Sequence, residues 1–69
     1  MSGCFVVYGH NNLPIQTYHW DNQHQRNYLR QRAIDLARNI TKPSLVEEFI
    51  NQPHAGALVW EATTEGEVK

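Results

Sequence analysis

The chain has 69 residues, a formal charge of −1 and one cysteine, Cys4. A domain this short buries only about 60% of the surface its unfolded chain exposes, so it usually needs a staple or a partner. The single cysteine excludes an internal disulfide and a cysteine-rich zinc site, and the near-neutral charge excludes a strong pull toward nucleic acid or an anionic membrane.

Self-association or a host complex is therefore the expected staple. The first residues, Met1 to Phe5, lack the basic start and long apolar run of a signal peptide. The longest apolar run, Cys4 to Tyr8, is too short to span a bilayer. Ser2 follows Met1, so Gly3 is not placed to accept a myristoyl chain. The expectation is a soluble, cytoplasmic protein whose lone thiol suits a reducing compartment.

The first element is a strand over Cys4 to Tyr8, aromatic and β-branched and apolar on both faces. Asn11 and Asn12 tolerate positive φ and predict a two-residue type I′ turn. A second strand, Ile15 to Trp20, follows Pro14, which favours an edge position. That turn sets Tyr8 opposite Ile15, Val6 opposite Thr17 and Cys4 opposite His19. Phe5, Val7, Tyr18 and Trp20 then share the other face.

Asp21 to Ile40 is the most regular segment. Leu29, Ala33, Leu36, Ala37 and Ile40 fall on one helical stripe. Asp21 or Asn22 suits the N-cap, Arg38 and Lys42 complement the C-terminal dipole, and Pro43 stops the helix. Ser44 with Glu47 matches a capping box and predicts a short second helix with Leu45, Val46, Phe49 and Ile50 on its apolar side. After a break at Gln52-Pro53-His54 comes a third strand, Ala55 to Ala62. Residues 63–69 read as an acidic, flexible tail beyond a compact domain of residues 1–62.

The expected fold is thus α+β with topology ββααβ: a three-stranded antiparallel sheet of order 2-1-3 and one long helix across one face. The layout is similar to that of very small phage-encoded proteins that bind and inhibit a host enzyme, a likeness of fold alone. One helix covers only one sheet face, and an uncovered apolar face is an interface. With the small residues Cys4, Val6 and Thr17 expected beneath the helix, the aromatic face of Phe5, Val7, Tyr18 and Trp20 is expected to stand free. Tyr28, on the outer side of the helix, joins it as a candidate contact.

Chemistry is sparse. Cys4 and His19, as cross-strand neighbours, have the residue types of a nucleophile and its base, but no carboxylate orients the histidine and no Gly-rich turn offers an oxyanion site. A small thiol beside an imidazole at a sheet end is the plainer reading. His10, His19, His24 and His54 lack the i, i+4 spacing of a helical metal pair, so neither a metal nor a cofactor is expected. Arg26, Arg30, Arg32 and Arg38 do not gather on one helical face. The expected function is a non-catalytic protein-binding module, pictured as a phage or mobile-element inhibitor that occludes a host or defence complex, or a homodimer. The alternative is a single-strand nucleic-acid binder that stacks bases on the aromatic face and holds phosphates with the arginines.

Overall fold

The computed structural model describes residues 2–50 and 56–68. Strand β1 (Gly3–Tyr8) turns through a single 3₁₀ turn at His10–Asn12 into β2 (Pro14–Trp20). Helix α1 (Gln23–Asn39) follows, then β3 (Ser44–Ile50), β4 (Ala57–Thr63) and β5 (Gly66–Val68). All five strands form one antiparallel sheet of order β2-β1-β3-β4-β5, with α1 laid over β1, β2 and β3. The expected three-stranded sheet with two helices is therefore corrected to five strands and one helix.

The first hairpin follows the sequence closely. Asn11 and Asn12 both take left-handed φ, 66° and 58°. The turn is wider than two residues, however, and closes with Gly9 N–H donating to Leu13 O at 2.9 Å. Tyr8 consequently pairs with Pro14, and Ile15 is the extra residue of a bulge. Beyond it the register is the expected one: Val6 with Thr17, Phe5 with Tyr18 and Cys4 with His19.

Asn22 caps the helix by accepting the Gln25 N–H at 2.9 Å, and the Gln25 side chain returns a bond to the Asp21 N–H at 2.8 Å. The first bond satisfies a bare first-turn donor, and the second satisfies the N–H of the residue just before the cap. At the other end, Lys42 Nζ bonds the carbonyls of Arg38 and Ala37, and the Ser44 hydroxyl donates to the Ala37 carbonyl at 2.7 Å. Ser44 therefore closes α1 and does not open a second helix.

The segment Ser44–Ile50 alternates instead of winding. Ser44, Val46 and Glu48 are buried, while Leu45, Glu47 and Phe49 face the opposite way. Over seven residues an apolar pattern fits both periods, and pairing to β1 on one side and β4 on the other decides for the strand. The stretch expected as a flexible tail contains β5, which pairs with β4. The break at Gln52-Pro53-His54 and the expected strand start at Ala55 lie outside the described residues.

The core lies between helix and sheet and consists of Phe5, Val7, Trp20, Ala33, Ile34, Ala37 and Val46. This reverses the expected assignment of the sheet faces. The close approach of helix and sheet is achieved by small residues on the helix, Ala33 and Ala37, both fully buried. The sheet can then supply the large ones. Trp20 lies across Gly3, where an added Cβ would sit 2.8 Å from the indole.

Candidate functional site

Four of the five residues expected to form a free surface lie on the covered side. Phe5 and Val7 are fully buried, Trp20 is 2% exposed, and Tyr18 is half-buried against the core. Only Tyr28 is open, at 59% exposure; its hydroxyl accepts from Arg32 at 3.1 Å, and that guanidinium lies over its ring.

The covered side carries two polar clusters. Arg26 reaches from α1 to Glu48 on β3 in a bidentate pair and lies 5.6 Å from the centroid of Trp20. The Trp20 Nε1 itself is buried without an acceptor among the described residues. Farther along, Arg38 pairs with Glu67 at 3.0 and 3.1 Å, and Glu67 accepts from Trp60 Nε1 at 3.1 Å. Arg38 and Lys42 both sit over the Trp60 ring. This second cluster ties β4 and β5 to the end of the helix, where α1 no longer covers the sheet. Both clusters hold structure together: Arg26 is paired with Glu48 and Arg38 with Glu67.

The opposite face of the sheet has no cover among the described residues. Register places Cys4, Val6 and Tyr8 of β1 beside Phe49, Glu47 and Leu45 of β3, and Leu58 and Glu61 of β4 beyond them. Thr17 and His19 of β2 extend this face on the other side. Leu58 is 58% exposed, and none of the β1 and β3 residues on this face is fully buried. Phe49 rests against Gly56, at which a Cβ would meet its ring at 2.8 Å.

Among the described residues the basic side chains are confined to the helix side. Arg26, Arg30, Arg32 and Arg38 are all on α1, and Lys42 folds back onto its end. The open face bears Glu47 and Glu61 and, among the described residues, no lysine or arginine. Burial and the neighbouring Glu47 carboxylate push the Tyr8 phenol above its ordinary pKa.

Cys4 and His19 are cross-strand partners as expected. The Cys4 thiol is held above its ordinary pKa by burial first and then by the Glu48 carboxylate, the opposite of what activates a thiol. No group of three potential metal ligands occurs among the described residues; His54 lies outside them. No helix there is long and apolar enough to cross a membrane.

The residues of the open face that were missed, Leu45, Glu47, Phe49 and Leu58, belong to β3 and to the strand paired with it. The alternation of Ser44, Val46 and Glu48 against Leu45, Glu47 and Phe49 was the signal that could have found them. No protein-family model, curated protein or solved structure matches the chain. The likeness to small phage-encoded inhibitors rested on the ββααβ layout and loses its support with that layout.

Proposed function

We propose that this protein is a binding module without chemistry of its own, and that the open sheet face receives a partner protein. The observation that carries this reading is the band of Val6, Tyr8, Leu45, Phe49 and Leu58 on a face that nothing in the described chain covers. Apolar surface gathered in this way is characteristic of interaction sites. The acids on the band define its complement: an apolar patch beside lysine or arginine side chains, which would meet Glu47 and Glu61.

The same acids argue against two copies meeting face to face, because Glu47 at the centre of one band would be pressed toward its own counterpart. The nucleic-acid alternative is less well supported: Phe5 and Trp20 are buried, and two of the four helix arginines, Arg26 and Arg38, are paired with Glu48 and Glu67.

The test is site-specific photocrosslinking in the cells that make the protein. A photoreactive residue at Leu58 is expected to capture a protein, the same residue at exposed Arg30 is not, and Glu47→Lys is expected to reduce the Leu58 product. Equal capture from both positions, or none from Leu58, would overturn the reading.

A further inference from the structure

The two edges of the sheet are built differently. At one end β5 is three residues long and carries Glu67, with Glu65 in the turn before it. Short length and charge are the usual protections of a strand edge. At the other end β2 is seven residues long, Pro14–Trp20, with no Asp, Glu, Lys or Arg. Its residues are exposed apart from Tyr18 and Trp20.

The backbone on that edge is unclaimed. In an antiparallel ladder alternate residues turn both N–H and C=O away from their neighbour. The Thr17 carbonyl accepts a long bond, 3.3 Å, from the side-chain amide of Gln16 next to it. This marks Thr17 as an outward-turned residue, and His19, two residues on, shares its orientation.

Thr17 is also the midpoint of β2. We infer that β2 pairs antiparallel with β2 of a second copy of the chain about a two-fold axis at Thr17, joining the two five-stranded sheets into one. In that register each Thr17 donates to and accepts from its counterpart, and Gln16 faces Tyr18. Pro14 falls opposite Trp20 in a rung that carries no hydrogen bond, so its missing N–H costs nothing. No like charges meet anywhere along the strand.

The helix flank above β2 supplies charge complementarity. Arg32 and Asp35 border a surface cleft with Tyr18 and Leu36 on the β2 side of α1. Arg32 has no carboxylate partner among the described residues, and its guanidinium rests on Tyr28. The two-fold operation runs the two flanks antiparallel past each other, bringing Arg32 of each copy toward Asp35 of the other. The outward backbone of β2 and this flank are separate from the apolar band of Tyr8, Leu45, Phe49 and Leu58, so the inference does not depend on what that band binds. Both open faces of the dimer would lie on one side of a continuous sheet.

The test combines solution mass with amide exchange. Light scattering is expected to give twice the 8.0 kDa chain mass for the wild type. Thr17→Lys, which sets two ammonium groups together at the axis, is expected to give the single-chain mass with an unchanged circular dichroism spectrum. In the wild type the Thr17 amide is expected to exchange slowly, at a rate that rises on dilution. A single-chain mass for the concentrated wild type, or a folded Thr17→Lys that keeps the double mass, would overturn the inference. Were Thr17→Lys to unfold, the wild-type Thr17 amide decides: fast, concentration-independent exchange refutes the pairing and slow, dilution-sensitive exchange supports it.

Discussion

Arg26 grips Glu48 with two parallel bonds, Nε to Oε2 at 2.5 Å and Nη2 to Oε1 at 2.7 Å, across the seam between helix and sheet. The carboxylate is 7% exposed and the arginine 34%. A nearly buried carboxylate inside an apolar layer depends on its partner, because burying an unpaired charge is costly.

Arg26→Met should therefore destabilise the fold. Full burial would make the loss larger; with the arginine one-third exposed, we expect about 2 kcal/mol. Arg26→Met combined with Glu48→Leu should recover most of it, since the stranded charge is then gone. Urea denaturation of the wild type and both variants measures this. A loss below about 0.5 kcal/mol in the single variant would place the pair among ordinary surface ion pairs.

The same seam shows where sequence reading succeeds and where it stops. Helix α1, its cap at Asn22 and the place of the first turn were legible, because each rests on local chemistry: a 3.6-residue stripe, an amide acceptor, and two asparagines that accept positive φ. The expected pairing of Tyr8 with Ile15 was not observed, and the expected register holds only beyond the bulge at Ile15. Ser44–Ile50 was not. Its pattern satisfies two periods, and Ser44 with Glu47 imitates a helix start whose serine in fact bonds back to Ala37. That strand supplies Leu45, Glu47 and Phe49 to the open face. The choice of face failed for a related reason. Cys4, Val6 and Thr17 looked small enough to lie beneath a helix, but Ala33 and Ala37 had already provided the space. A partner for Glu48 twenty-two positions earlier in the chain leaves no local signal.

Acid should loosen the far end of the sheet first. Hydrogen bonds from Arg38 and then Trp60 hold the Glu67 carboxyl below its ordinary pKa. A depressed folded-state pKa stabilises the fold above the unfolded value and ceases to do so as the pH falls through the folded one. The contribution is therefore intact above about pH 4.3, the ordinary glutamate value, and fades below it. Amide exchange along β5 and Trp60 fluorescence should change together in that window, and Glu67→Gln should abolish the dependence. Added salt should weaken the contribution as well, because both partners are exposed. Fluorescence that follows pH equally in Glu67→Gln would assign the effect to another group.

Cys4 should be a sluggish thiol. With its pKa raised by burial and by Glu48, it holds less thiolate at neutral pH than a free cysteine. Iodoacetamide should alkylate it more slowly than a small-molecule thiol at the same pH, with the rate still climbing beyond the pH at which a free cysteine is half ionised. Unfolding in urea should restore the ordinary rate. Fast alkylation of the folded chain at pH 7 would revive a nucleophilic role for Cys4 with His19 opposite it.

Trp20 and Leu58 offer the sharpest test of which sheet face is the core. Both are large apolar residues near strand ends, yet one is 2% exposed beneath the helix and the other 58% exposed on the open face. Trp20→Ala removes a filled volume against Gly3 and takes away the ring beneath Arg26. The expected loss is about 3–5 kcal/mol. A chain of this length has a total stability of only about 3–10 kcal/mol, so much of the population should unfold. Leu58→Ser should change stability by no more than about 0.5 kcal/mol, because its side chain is already largely in water. Thermal or urea unfolding of the two variants side by side reads the difference. A folded Trp20→Ala beside a collapsed Leu58→Ser would exchange the two faces and, with them, move the binding surface to Phe5, Val7, Tyr18 and Trp20.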